Sequence, residues 1–426
     1  MAALVPAIQV ISKTDHTEQH IVPLSNSATT LLTAASTVRI RTRLISLTTN
    51  VFSYARDGGR GSPGLDWYNT WPFPDSLPAP FNDTTKYCRV AAWGFSEVME
   101  STIPDLPVGT ELFGYQPIGT AIEELTLKHV AGGAWKEVSE RRKRLLGVYN
   151  EYVVSEPTVS KGLGGEDDAK RSKALDAIMR VLYGSSFMLN RSTFDWNSKG
   201  IHPFGAKQLT WSAEDADLTG AVVFLLAPSG KTGLAFAHQL RRGRPEDKQP
   251  RKVVAVGSAL SRDFSTATGL FDEVVLYGDL DAPMFDLVAV VGQKPAKILL
   301  VNFGARGDAP EKWAEALRPL CERLQVVLVG SDPQAKAMGK LAALCLELDS
   351  GVHQMNAGGL RDNARHGAGA LAYFEEMGAA WEGFKADGAA GLKVVWGQGI
   401  DDYAKGWDAI VRGEYGADNG LVYELP

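Results

Sequence analysis

AVVFLLAPSGKTGLAFAHQL, residues Ala221 to Leu240, runs from an apolar strand-like segment through a short Gly/Ser loop into a helical pattern. A strand that feeds a glycine-containing turn at a helix start creates an anion site, because unpaired backbone N–H groups and the positive helix end face one point. The triplet Gly230-Lys231-Thr232 looks like the end of a P-loop, yet G-x-x-x-x-G-K-[ST] requires glycine where Leu225 stands. The strict G-x-G-x-x-G is absent too, since only Gly230 and Gly233 fall in the turn. Two readings stay open. One is a degenerate dinucleotide loop, with Ser229, Gly230, Lys231, Thr232 and Gly233 against a diphosphate; the other is an ordinary strand-to-helix turn.

The residues downstream favour the first. KVVAVG (Lys252 to Gly257), EVVLY (Glu273 to Tyr277), ILLVNFG (Ile298 to Gly304) and QVVLVG (Gln325 to Gly330) read as buried strands, separated by the helix-like SRDFSTATGLF and EKWAEALRPLCERL. Short β-branched runs alternating with helix-length segments specify βαβ units and a Rossmann-type parallel sheet. The end of the second strand carries cofactor choice, because an acid there suits NAD, and a cation with hydroxyls suits the extra phosphate of NADP. Ser258, Ser261 and Arg262 follow that strand with no acid before Asp263, so NADP(H) is expected. Arg262 as a solvated residue at a helix start is the alternative. Tyr277, Asn302 and Gly304, at the ends of later strands, complete the expected cofactor set.

The chain has 426 residues, enough for two or three domains with large cores. Its 45% hydrophobic and 22% charged content is that of a globular protein, and a net charge of -6 argues against nucleic acid or an anionic membrane as partner. The run Arg141 to Arg144 reads as the solvated face of an amphipathic helix. Cys88, Cys321 and Cys345 are odd in number and never paired as C-x-x-C, which predicts neither a disulfide framework nor a structural zinc site. Cys321 and Cys345 are expected in the core. Met1 to Val10 lacks a basic start and contains Pro6, so it makes a poor signal peptide, and no apolar run is long enough for a bilayer. A soluble, reducing, cytoplasmic setting is the expectation.

The first part, to about Val154, has a different texture. VRIRTRLISLT (Val38 to Thr48), YCRVAAWGFSEVME (Tyr87 to Glu100) and ELFGY (Glu111 to Tyr115) are short alternating segments broken by Pro/Gly turns, the pattern of a twisted β-barrel. Asp57 to Thr85, polar and rich in aromatics, reads as a surface excursion or lid. Ser155 to Lys173 reads as a flexible interdomain loop, and Ala174 to Leu189 as the helix that follows it. GLKVVWGQGIDDYAKGWDAIVRGEYGADNGLVYEL then closes the chain as strand, helix and strand.

Four stretches in this order resemble the medium-chain dehydrogenase/reductase superfamily: Thr49-Asn50-Val51-Phe52-Ser53-Tyr54, Val108 to Tyr115, Ser229 to Gly233, and Trp407 to Gly413 with Gly420-Leu421-Val422. More narrowly, WGFSEV, FGYQPIGT, GVYNEY, YGSSFML and APSGKTGLAF are similar to a quinone-reductase-like subgroup found in fungi and bacteria, a likeness firmer on fold than on reaction. The resemblance implies an α/β protein with a GroES-like β-barrel domain at about 1–180 and 380–426, a Rossmann-type nucleotide domain at about 181–379, and substrate beside nicotinamide in a cleft. It also divides zinc enzymes from zinc-free reductases. Zinc catalysis needs Cys and His ligands around an open position. Three scattered cysteines, a solitary His129, and His16 and His20 in a polar stretch do not supply them, so no metal is expected.

Zinc-free reduction needs a hydride donor and a hydrogen-bond donor for the developing oxyanion. Tyr54, after its Asn-containing motif, is the first candidate, with packing as the competing role, and Tyr149 is the second. Asn50, Tyr115, Asn150 and Ser186 are candidate substrate contacts. A domain-interface role for Tyr149, Asn150 and Tyr152, and a helix-terminal one for the Ser186 hydroxyl, stay open. The expected activity is NADP(H)-dependent reduction of an activated C=C, enone or quinone-type small molecule. A redox-neutral isomerase, lyase or cyclase on the same scaffold is the alternative, a binding protein with a vestigial nucleotide site is the third reading, and a homodimer is an open question.

Overall fold

A computed structural model describes residues 5–25, 31–59, 66–130, 133–155, 166–197, 200–206, 208–330, 340–345, 350–367 and 370–426. The chain divides into two compact units: Met1–Ile178 with Lys393–Tyr415 and Asn419–Pro426, and Met179–Leu392 with Gly416–Asp418.

The first unit begins with β1 (Ala7–Ser12), β2 (Gln19–Pro23), β3 (Thr37–Leu47) and the two-residue β4 (Tyr87–Cys88). It continues through β5 (Ala91–Ser101), β6 (Glu111–Pro117), β7 (Ile122–Val130), β8 (Ala134–Glu137) and β9 (Glu151–Val154). In β3 the alternation of VRIRTRLISL has a direct cause. Val38 and Ile40 face inward, while Arg39 and Arg43 point outward to Glu100 and Glu97 on β5, each at 2.8 Å. The antiparallel order β3-β5-β6-β9-β8-β7 closes because β7 pairs again with β3, which gives a six-stranded barrel without free edges. At Gly94 the neighbouring strand runs so close that any side chain would collide with the Leu44 carbonyl.

The second unit is built on a six-stranded parallel sheet: β10 (Val222–Leu226), β11 (Lys252–Gly257), β12 (Glu273–Leu276), β13 (Lys297–Phe303), β14 (Arg323–Gly330) and β15 (Val352–Gln354). Its order, β12-β11-β10-β13-β14-β15, is that of a Rossmann sheet. All five residues of β10 are buried, and Val222, Phe224, Leu226, Ile298, Leu300 and Trp313 share one core, as continuous apolar runs in a doubly covered sheet require. β16 (Lys393–Gln398), the helix Gly399–Val411 and β17 (Asn419–Glu424) return to the first unit, where β17 pairs antiparallel with β3.

Four details differ from the sequence reading. Arg141 to Arg144 do not lie on an amphipathic helix: Glu140–Arg142 is one 3-10 turn, and Arg142 is completely buried. Asp57 to Thr85 is not merely a surface excursion, for its described part buries Trp67, Trp71 and Leu77, an apolar load too large to leave in water. The helix expected through Leu324 ends at Leu317, because Pro319 in the next turn lacks the N–H a helix needs, and β14 already starts at Arg323. The loop expected to Lys173 is helical from Glu166, in one helix to Met188, while 156–165 lie outside the described residues. Among the described residues no helix is long and apolar enough to cross a membrane.

Candidate active site

The helix Thr49–Asp57 carries Asn50 and Tyr54 four residues apart, hence on one face, while Phe52 on the other side packs on Trp407 with ring centroids 4.0 Å apart. Tyr54 is 4% exposed. Its ring meets Trp67 at 4.7 Å and stands edge-on to Tyr115 at 5.5 Å and Tyr149 at 5.7 Å. Barrel register adds the fifth wall: Trp93 on β5 is directly opposite Tyr115 on β6, and their rings lie 5.3 Å apart. Tyr149, on the 3-10 turn Gly147–Asn150, stacks on Trp93 at 5.8 Å. Asn50 and Tyr149 keep part of their surface in solvent and border the cluster.

Burial pushes the Tyr54 phenol above its ordinary range, and hydrogen bonding to Tyr149, Asn50 and Trp93 offsets only part of this. Tyr149 and Tyr115 are pushed well up, first by burial and then by the neighbouring phenols. All three stay protonated at neutral pH. The buried Trp93 and Trp67 indole N–H groups face the Tyr54 and Tyr149 phenols without completing a well-aligned hydrogen bond, and the Tyr115 hydroxyl faces the Ala91 backbone N–H in the same way. A buried polar group left wholly unpaired costs about 1–3 kcal/mol, so donors held in such imperfect contacts are available to a stronger acceptor. It suits an oxygen that gains negative charge.

Asn50, Tyr54, Tyr115 and Tyr149 thus come together, and Trp67 and Trp93 join them as residues the sequence reading missed. For Trp93 the signal was present, since it shares a strand face with the buried Ala91 and Phe95. Asn150 is tied elsewhere: its Nδ2 donates to the Arg142 carbonyl at 2.9 Å. Ser186 is fully buried near the end of the helix Glu166–Met188, and its hydroxyl donates to the Thr232 carbonyl at 2.7 Å, bracing the loop of the second unit.

That loop lies at the carboxyl ends of the parallel strands, where β10 and β13 diverge to opposite halves of the sheet. Ala227 has φ 55°, a left-handed conformation that costs a non-glycine residue about 1–2 kcal/mol. Gly230 caps the helix Lys231–Arg242 without a side-chain hydrogen bond, which leaves the first helical N–H groups without an intrahelical partner. A Cβ at Gly233 would approach Pro228 Cα at 3.0 Å and the Ala227 carbonyl at 3.1 Å, so glycine lets helix and loop pack without pushing the loop backbone aside. Lys231 reaches the Ala417 carbonyl at 3.4 Å, and burial lowers its ammonium to about 8, against the opposing pull of Asp418.

Beyond β11, the Ser258 and Ser261 hydroxyls lie 3.2 Å apart, and exposed Arg262 opens the helix Arg262–Ala267. The Arg262 guanidinium has no hydrogen bond or ion pair among the described residues. Asn302 Oδ1 accepts from the N–H groups of Gly304 and Ala305 at 3.0 and 2.8 Å, which shapes the β13 turn, and Gly304 has φ 113°. Tyr277 follows β12, packed against the sheet core, and its carbonyl accepts from Trp313 Nε1 at 3.3 Å. The donor-rich loop, the close helix–loop packing at Gly233 and the exposed cation fit a dinucleotide. Among the described residues, no three His, Cys, Asp or Glu side chains gather as metal ligands.

A family model described as "Protein of unknown function (DUF2855)" matches residues 45–416. No curated protein matches the chain. Among solved structures, CurA from Vibrio vulnificus in complex with NADPH is similar at 13% identity and TM-score 0.51, over 96% of this chain and 94% of that one. A mutant of Etr1p in complex with NADP and crotonyl-CoA is similar at 10% identity and TM-score 0.54, over 99% and 100%. The CurF ER cyclopropanase from the curacin A biosynthetic pathway is similar at 9% identity and TM-score 0.52, again over 99% and 100%. At such identities the likeness is one of fold alone.

Proposed function

We propose that this chain, which belongs to the family described as protein of unknown function (DUF2855), is an NADP(H)-dependent, zinc-independent reductase of an activated C=C, enone or quinone-type small molecule. The observation that carries the reading is the Tyr54 cluster, a protonated phenol among buried donors that no strong acceptor satisfies. Structural relatives bound to NADPH, or to NADP with an enoyl thioester, support it by fold. In this reading the backbone of Ser229 to Gly233 holds the diphosphate, and Ser258, Ser261 and Arg262 meet the 2′-phosphate. The bound nicotinamide would supply a hydride. Tyr54 polarises the acceptor oxygen by donating a hydrogen bond, its raised pKa making it a poor acid, and the proton that completes the reduction comes from solvent water. Asn50 and Tyr149 hold that hydroxyl in place. Zinc-free, quinone-reductase-like membership within the superfamily belongs to the same proposal.

The direct test is loss of NADPH absorbance on addition of enones and quinones. Turnover is expected to survive chelation unchanged; one tightly held zinc per chain, lost together with activity, would overturn the zinc-free reading. A redox-neutral isomerase, lyase or cyclase on the same scaffold is the alternative reading. Substrate turnover after complete removal of nicotinamide would establish it.

Arg262→Ala is expected to weaken NADPH roughly 10- to 100-fold, the scale of a lost charge-assisted hydrogen bond, and to leave NADH nearly unchanged. Calorimetric titration of both cofactors checks this, and equal losses would count against Arg262 as the phosphate contact.

Lys231 predicts a pH dependence. Its ammonium, lowered to about 8, is charged below that pH and complements a diphosphate; above it the charge is lost. Affinity for NADPH and NADH alike is therefore expected to fall as pH rises through about 8, and Lys231→Met to flatten both profiles. Profiles unchanged by the substitution would remove Lys231 from the phosphate site.

A further inference from the structure

Elsewhere in the barrel unit lies a cavity of about 390 Å³ that none of Asn50, Tyr54, Tyr115 or Tyr149 lines. Tyr68, Phe73 and Tyr87 line it, together with the almost wholly buried Trp71. They are held in place. The Tyr68 hydroxyl donates to the Ala55 carbonyl, and Trp71, 1% exposed, is covered by the Arg142 guanidinium 4.7 Å from its ring.

Five charged side chains also line the cavity, and their pairing is uneven. Arg144 Nε lies 3.6 Å from Asp66, and Glu140 is paired with Lys143 outside the cavity. Lys13 and Arg141 have no acidic partner among the described residues. Lys13 Nζ donates to the Thr84 carbonyl at 2.6 Å and stands 5.0 Å from the Tyr68 ring centre. Arg141 donates to the Thr70 and Glu124 carbonyls at 3.3 and 3.1 Å. Carbonyl dipoles replace some hydration but leave both positive charges uncompensated. A cationic ligand is disfavoured by these charges, and a dianion would also face Asp66 and Glu140. A monoanion fits both constraints, and the aromatic side chains suit a flat body.

We propose that this cavity binds a planar monoanion, a carboxylate carried on or conjugated to an aromatic ring, with Lys13 and Arg141 taking the carboxylate and the aromatic walls its plane. The proposal does not depend on the reductase reading. Calorimetric titration of the full chain with cinnamate, and with cinnamamide as its uncharged isostere, tests it. Cinnamate is expected to saturate one site and to bind about tenfold or more tightly than the amide. Lys13→Met and Arg141→Met should each weaken cinnamate by about tenfold or more, and Lys13→Arg should retain it. Tyr54→Phe should leave it unchanged. Thermal midpoints matching wild type show that the variants are folded, and the cinnamate–cinnamamide comparison on the unsubstituted chain needs no variant. Equal binding of acid and amide, no saturation by cinnamate at millimolar concentration, or a loss on Tyr54→Phe equal to that on Lys13→Met would overturn the proposal.

Discussion

Tyr54→Phe is expected to lower kcat and kcat/KM together by roughly 10- to 1000-fold while cofactor affinity stays intact, because the lost hydroxyl donates chiefly in the transition state. The ring remains, so contacts with Trp67, Tyr115 and Tyr149 survive, and the structural cost is the hydrogen bonding to Asn50 and Tyr149, about 1 kcal/mol. Since burial holds the phenol protonated, activity should show no alkaline fall at the ordinary tyrosine pKa near 10. Single-turnover kinetics with NADPH, alongside a thermal melt, separate the two roles. An unchanged kcat with a normal midpoint would make Tyr54 a packing residue and transfer the donor role to Tyr149, whose hydroxyl sits in the same cluster.

Why the parallel sheet was legible, and the cluster only partly so, comes down to the range of the interactions. A strand such as Val222–Leu226 announces itself through its own residues, since burial on both faces demands a continuous apolar run, and the helix after Gly230 follows within the same stretch. Tyr54, Tyr115 and Tyr149 could each be singled out by their motifs. Their meeting could not, because it depends on barrel register, which sets Trp93 opposite Tyr115, and on a 3-10 turn anchored by the buried Arg142, which reads in the sequence as a solvated residue. Trp67 was hidden for a different reason. It stands in a polar, proline-rich stretch whose average composition resembles a surface loop, although single tryptophans in it are core residues. Ala227 was concealed as well, since a left-handed alanine occupies a position at which a glycine would have announced the turn.

Arg142 shows the same effect at larger scale, and its replacement by methionine is expected to destabilise the barrel unit by about 3 kcal/mol. A run of basic residues usually marks a solvated face, but this guanidinium donates to the carbonyls of Thr70 at 2.9 Å and Tyr149 at 3.1 Å and to the Tyr152 hydroxyl at 3.3 Å. Methionine fills similar volume yet donates nothing, so the Tyr149 carbonyl loses this donor at about 1–3 kcal/mol, the Thr70 carbonyl keeps only the longer bond from Arg141 at 3.3 Å, and the contact with the Trp71 ring is lost as well. Arg142→Lys should recover only part of this, because one ammonium cannot reach partners that a planar fork spans. Differential scanning calorimetry is expected to show the transition of the barrel unit several degrees lower, with that of the parallel-sheet unit unmoved. At temperatures where the variant is folded, kcat should still fall, since the Tyr149 carbonyl is one of the three anchors and its ring walls the Tyr54 cluster. Arg142 therefore acts as a positioning residue. Normal melting of Arg142→Met would mean that other donors reach those carbonyls, and normal melting with full activity would free Tyr149 from any need of this anchor.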